Sequence, residues 1–191
     1  MDSNFWKNKK VLLTGHTGFK GCWLSLWLSS LGAQVKGYAL NPPTSPSLFN
    51  EAEVGKVVDS QIADIRDQDT LHESMTGFDP NILIHMAAQP LVRYSYDEPI
   101  ETFEVNVIGT AKVLEVARSC PNIKSIVNIT TFSAFEPSLT FPTSSVYRVG
   151  VSSFTKLYSD RYGADNIRMN CLLPGFTDSL DLPQKFAQMA S

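Results

Sequence analysis

A doubly wound parallel α/β sheet is the architecture predicted by this sequence, and three observations predict it. Short apolar segments with strand character recur six times along the chain, and helical patterns fill most of the intervals between them. Strand alternating with helix gives a parallel sheet joined by right-handed crossovers. The first strand, Val11 to Thr14, runs into three glycines at three-residue spacing, Gly15, Gly18 and Gly21. A helical pattern follows at once, in Trp23, Leu24, Leu26, Trp27, Leu28 and Leu31. Strand, glycine turn and helix form an opening that can take a pyrophosphate. Glycine lets the backbone turn tightly and come close, and the new helix offers unpaired amides and the positive end of its dipole.

The remaining elements follow in order. Gln34 to Leu40 reads as strand 2, closed by the proline-rich run Asn41 to Pro46, which continues neither strand nor helix. Val57 to Ile62 reads as strand 3, and Asp67 to Met75 as a helix. Ile82 to His85 is a short buried strand 4, leading into Met86 to Pro90. Pro99 to Cys120 reads as one long helix, with proline in its first turn and Ile100, Phe103, Val107, Leu114 and Ala117 near one face. Ser125 to Thr130 is strand 5, Thr143 to Tyr162 a helix, and Ile167 to Leu172 strand 6, ended by Pro174 and Gly175. Leu180 to Ser191 reads as a helix. The predicted strand order is 3-2-1-4-5-6, Rossmann-like, with ligands at the carboxyl ends of the strands. One domain spans 1–191, leaving no residues for a separate substrate domain.

Composition excludes several classes. Hydrophobic residues make up 43% and charged residues 18%, which supports a packed core. Net charge is −3 with no basic block, so a nucleic-acid partner is not expected. Cys22, Cys120 and Cys171 are far apart and form no C-x-x-C, so they read as reduced thiols of a cytoplasmic protein, with no metal site. The polar start, Met1 to Lys10, lacks the apolar core of a signal peptide, and no apolar run is long enough for a membrane span.

The spacing Thr14-Gly15-x-x-Gly18-Phe19-x-Gly21 resembles the extended branch of the short-chain dehydrogenase/reductase superfamily. More specifically, residues 4 to about 130 resemble the CDP-glucose 4,6-dehydratases. That resemblance rests on Thr14 to Gly21, Gly37-Tyr-Ala-Leu40 with Pro46-Ser-Leu-Phe49, Asp64-Ile-Arg66, His85 to Arg93, and Asn106-Val-x-Gly-Thr110. From about Thr131 the resemblance changes. Asn128-Ile-Thr-Thr131, Phe154-Thr-Lys156, Asn166 to Asn170 and Leu173-Pro-Gly-Phe176 look like classical single-domain members. The chain reads as two branches joined near residue 130, and a natural and a constructed join read alike at this level.

The family implies NAD, with NADP open. The cofactor oxidises C4 of the sugar, water leaves across C5 and C6, and the hydride returns. By resemblance, Gly15, Thr17, Gly18, Phe19 and Gly21 surround the pyrophosphate, Asp64 and Ile65 flank the adenine, and Ala87, Ala88 and Gln89 line the cofactor past strand 4. Pro174 and Gly175 are assigned to the cofactor from the classical-like segment. The ribose-binding position, about twenty residues beyond the glycines, falls on Asn41, which can bond a hydroxyl without repelling a 2′-phosphate. Asn106 is expected to order the active-site helix, and His85 to be a hydrogen-bonded strand-end residue.

The catalytic end departs from both branches. Each uses Tyr-x-x-x-Lys on the helix after strand 5, with a Ser or Thr at the strand end. Thr131 matches the latter. The classical register from Thr131 gives Ser144 and Arg148 where Tyr and Lys belong, and Tyr147 stands three residues late. In the dehydratase register, Phe132 and Ser133 hold the positions of an acid–base Asp and Lys. The catalytic candidates are therefore Thr131, Tyr147 as a substitute acid or a helix-surface or interface residue, and Arg148 on the ribose. Three functions fit: a nucleotide-sugar dehydratase relative with an incomplete catalytic set, a classical oxidoreductase on a small carbonyl or alcohol, or a non-catalytic dinucleotide-binding module. The superfamily also implies a homodimer through helices 99–120 and 143–162. Val113, Val116, Phe154 and Leu157 supply more apolar positions there than one buried face needs.

Overall fold

The computed structural model describes residues 3–137 and 142–175. The helix read at Leu180 to Ser191, and Phe176, lie outside the described residues. The elements run α1 (Ser3–Trp6), β1 (Lys10–Thr14), α2 (Phe19–Ser30), β2 (Gln34–Ala39), α3 (Leu48–Glu51), α4 (Val54–Val57), β3 (Asp59–Ile62), α5 (Gln68–Phe78), β4 (Ile82–His85), α6 (Val92–Asp97), α7 (Pro99–Phe103), α8 (Thr110–Ala117), β5 (Ser125–Ile129), α9 (Pro142–Tyr162) and β6 (Arg168–Leu172).

All five strand pairings are parallel and the sheet order is β3-β2-β1-β4-β5-β6, as the alternation predicts. The chain reverses its winding at β1, so the ends of β1 and β4 diverge and leave a crevice, where such sheets bind ligands. Side chains alternate along each strand, which gives two cores. Val11, Leu13, Ile82 and Ile84 meet Cys22 and Leu28 of α2 and Val54 of α4 on one face. Leu12, Leu83, Ile126 and Met169 meet Leu71 and Met75 of α5 and Val113, Leu114 and Val116 of α8 on the other.

The structure adds elements that periodicity did not suggest. After the proline run, Ser47 caps α3 by accepting the Asn50 amide, and α4 follows, so β3 starts at Asp59 rather than Val57. These one-turn helices are too short to show a helical period, and they hold only because Leu48, Phe49, Ala52 and Val54 pack on the β1 core. Another short helix, α6, forms between β4 and α7. The long helix is real in outline, but a π turn at Glu104–Gly109 separates α7 from α8. Of the apolar residues assigned to a pairing face, Val113 and Val116 lie in the core and Phe154 packs against it, while Leu157 is exposed. The exposed apolar positions of these helices are instead Ile100, Phe103, Ile108, Val146, Val149 and Leu157. All three cysteines are free thiols, and no described helix is long and apolar enough to cross a membrane.

Candidate functional site

The glycine loop closes on itself before any ligand is considered. Gly15 has φ +79 and donates its amide to the Tyr38 carbonyl at 2.9 Å. A Cβ there would stand 2.9 Å from the Ala87 nitrogen, and one on Gly21 only 2.1 Å from the Gly15 oxygen. The chain itself requires both glycines. Gly18 is different. Its backbone is extended (φ −75, ψ 160), open to any residue, and a Cβ would meet only the Gly15 oxygen at 3.4 Å. Nothing inside the protein demands glycine at 18, whereas an approaching group outside it would. Gly18 is also the N-cap of α2, with no capping side chain and no acidic residue in the first turn. The first amides of a twelve-residue helix therefore remain available to an anion.

Side chains pin this loop. Thr17 donates its hydroxyl to the Leu40 carbonyl at 2.8 Å, next to exposed Asn41 at the end of β2. His16, fully buried, bonds Ser60 through Nε2 at 2.7 Å and meets Phe49 edge-on at 5.5 Å. Its ring lies so close over Gly37 that a Cβ there would come within 2.3 Å. Burial lowers its pKa to about 4, so the ring is neutral. Phe19 is exposed beside the loop.

Across the crevice, Ala87, Ala88 and Gln89 follow β4 and are half-buried. The Thr14 hydroxyl accepts the Met86 and Ala87 amides, each at 3.1 Å. Gln89 is held by Asn106, which accepts its amide at 2.8 Å and donates to its carbonyl at 3.1 Å. Asn106 thus orders the join between the β4 loop and the π turn. His85 bonds Thr14 at 2.7 Å and Thr110 at 2.9 Å, which makes it the hydrogen-bonded strand-end residue expected from sequence.

Asp64, after β3, takes Arg66 Nη2 at 2.6 Å, Nε at 2.9 Å and the Arg66 amide at 2.8 Å. Burial pushes this carboxyl up, but the Arg66 bonds and charge outweigh it and hold it below the ordinary range. Arg66 also reaches Glu101, and Lys112 donates to its carbonyl at 2.6 Å, latching the β3 loop to α7 and α8. The Ile65 side chain sits in the core against Gly109.

At the end of β5, Thr131 is extended and accepts the Ser133 amide at 3.5 Å, opening a short 3-10 turn at Phe132–Ala134. Helix α9 packs against that turn. Arg148 donates to the Ile129 carbonyl at 2.7 Å, and its guanidinium carbon lies 5.3 Å from the centre of the Tyr147 ring. Tyr147 is 6% exposed and meets Phe103 edge-on at 6.1 Å, so it is a buried residue rather than a helix-surface one. Pro174 is half-buried and Gly175 exposed, beyond β6. Among the described residues no group of three or more His, Cys, Asp or Glu is placed to hold a metal ion. Sequence reasoning gave no role to His16, Arg66 or Thr110, although each lies in a motif that carries the resemblance.

Residues 12–136 match the family model described as GDP-mannose 4,6 dehydratase. The chain belongs to that family. Within it, the chain is 54% identical over 136 residues to the CDP-glucose 4,6-dehydratase of Salmonella typhimurium, an alignment covering 71% of this chain and 38% of that relative. The chain thus spans about two-fifths of the length of that curated relative. Among solved structures, a short-chain type dehydrogenase/reductase from Mycobacterium ulcerans superposes with a TM-score of 0.78 at 21% identity, covering 96% of this chain and 74% of that one. An NADH-dependent reductase complexed with NAD superposes at 0.72 with 16% identity, covering 92% and 81%. These two show the fold. As a family member the chain is a short-chain dehydrogenase/reductase superfamily protein related to nucleotide-sugar 4,6-dehydratases. The family match ends at 136, before α9 and β6.

Proposed function

We propose that the chain holds a nicotinamide dinucleotide across the carboxyl ends of β1 and β4, and that it is a poor catalyst of sugar dehydration. One observation carries the binding reading: Gly18 is glycine without any internal need for it, at the open N-terminus of α2. The residues present fit such a group. Gly15, Thr17, Gly18, Phe19 and Gly21 would surround its pyrophosphate, and Asn41 would meet the adenosine ribose. Asp64 and the Ile65 backbone would border the adenine, with Ala87, Ala88, Gln89, Pro174 and Gly175 along the rest. When bound, it supplies the capacity to take a hydride from a sugar carbon and give it back. Neutral Asn41 suits NAD and does not repel NADP.

The remaining chemistry falls to Thr131, Tyr147 and Arg148. Thr131 would steady the reacting oxygen and Arg148 would bind the ribose, but a guanidinium is no substitute for a tuned lysine. Phe132 cannot move a proton, and Ser133 is buried. A small-carbonyl oxidoreductase is the second reading, favoured because α9 brings Arg148 to the end of β5, with Tyr147 beside it. The substrate is then a nucleotide sugar or a carbonyl compound. The protein is proposed to be cytoplasmic and to pair as a two-fold homodimer through α7, the π turn and α9, using Ile100, Ile108, Val146, Val149 and Leu157.

Thermal unfolding with millimolar NAD(H) or NADP(H) tests the binding reading. A ligand at about a hundred times its dissociation constant adds about 2.7 kcal/mol, a visible shift. Gly18→Val should fold and show no shift. A wild-type chain unmoved by all four dinucleotides overturns the reading.

A further inference from the structure

The ends of β1 and β4 are joined by buried hydrogen bonds whose proton directions are determined. The Thr14 hydroxyl accepts two backbone amides, from Met86 and Ala87. A hydroxyl has two acceptor lone pairs and one proton, so that proton goes to His85 Nδ1, 2.7 Å away. Nδ1 is then an acceptor, and the imidazole carries its own proton on Nε2, which donates to Thr110 Oγ1 at 2.9 Å. Thr110 Oγ1 in turn donates to the Asn106 main-chain carbonyl at 2.8 Å. The Asn106 side chain closes the chain of bonds on both polar groups of the Gln89 backbone. Thr14, His85, Thr110 and Asn106 are all buried.

We propose that His85 is a positioning residue for the dinucleotide site, its neutral Nε2–H tautomer locking the Met86–Gln89 backbone against the glycine loop. This rests on the binding reading above. An imidazole that accepts on one nitrogen and donates on the other carries the hydrogen-bond direction from the end of β1 to the helical rod. The π turn matters because it contains Asn106, whose main-chain carbonyl accepts the last of these bonds and whose amide grips Gln89. Burial, with the nearby Arg148 charge, lowers the His85 pKa to about 4 and keeps the ring neutral. Ala87 lies directly against Gly15, so any slip of the Met86–Gln89 segment changes the width of the crevice between β1 and β4.

Thr110→Val removes the hydroxyl at nearly constant shape, and Thr110→Ser keeps it. Calorimetric titration of NAD(H) should show affinity about tenfold weaker in Thr110→Val and near wild type in Thr110→Ser. A role in stability alone would lower the unfolding midpoint of Thr110→Val without moving its affinity. Nitrogen NMR of His85 in the wild type should find the proton on Nε2 and the ring neutral at pH 6, a result that does not depend on any variant folding. A folded Thr110→Val with unchanged affinity, or a proton on Nδ1, overturns the proposal alone. A wild-type chain that binds no dinucleotide overturns the site reading and this proposal with it.

Discussion

The carboxyl ends of β4 and β5 lie side by side in the sheet, yet they are built differently. Around the end of β4, Thr14, His85, Thr110 and Asn106 form a continuous directed run of hydrogen bonds. Around the end of β5, Asn128 Oδ1 and Arg148 Nε are buried without a hydrogen-bond partner, and the Thr131 contact with the Ser133 amide is long at 3.5 Å. Each is held through another atom, Asn128 Nδ2 by Thr155 at 2.9 Å and Arg148 Nη1 by the Ile129 carbonyl at 2.7 Å, and His16 in the glycine loop is alike, with Nδ1 unpartnered and Nε2 held by Ser60. A buried polar atom left unpaired costs about 1–3 kcal/mol, and a fully connected network rigidifies what it joins. The β1–β4 side of the crevice is thus set by the protein's own bonds. The half where chemistry would occur carries loose ends, and its residues point at main chain and at each other.

The largest expected effect tests that contrast in the reaction. In a single-turnover assay at saturating CDP-glucose, the 4-keto-6-deoxy product should form about a hundred- to ten-thousand-fold more slowly than with a complete acid–base set. Product appearing at about one per second, and lost in Thr131→Val, would show that the β5 end is a competent site after all. A sharper version of the comparison lies within the glycine loop. Gly21→Ala drives a methyl to 2.1 Å from a backbone oxygen and should cost about 4 kcal/mol or prevent folding. Gly18→Ala meets only a 3.4 Å contact, so its urea midpoint should stay near wild type while dinucleotide affinity falls. Equal loss of stability in the two variants would remove the distinction on which the phosphate site rests.

The smallest effect concerns pH. His85 titrates near 6.5 when unfolded and about 4 when folded. Above pH 6.5 both states are neutral and its contribution is complete. As pH falls from 6.5 to 4 the unfolded chain takes up a proton that the native chain refuses, and stability drops by about 3 kcal/mol. His16 shifts in the same direction and adds to the slope. Urea titrations between pH 7 and 4 should therefore show a shallower decline in His85→Asn than in wild type. Parallel declines would mean that His85 titrates alike in the native and unfolded chains, so that burial does not lower its pKa.

Much of the fold was legible because its signals are local. Strand bounds fell within a residue or two, since a run such as Ile82 to His85 declares itself by its own composition. Short helices at 48–57 and 92–97 were not legible, because one turn has no period to detect. The surplus of apolar residues assigned to pairing was misplaced for a related reason: Val113 and Val116 have the same local pattern whether they face the sheet or a partner.

By itself, the sequence determined the strand order and the place of the glycine loop, through alternation of periods and the spacing of Gly15, Gly18 and Gly21. It also showed that Tyr-x-x-x-Lys is missing, which needs only counting. Tertiary structure alone decided which glycines the fold itself requires, and that His85 bridges Thr14 and Thr110. The bridge depends on atoms from residues 71 and 25 positions apart, Thr14 with His85 and His85 with Thr110. Proton direction in a buried relay follows from how many donors converge on one oxygen, and that convergence exists only once β1, β4 and α8 are packed together.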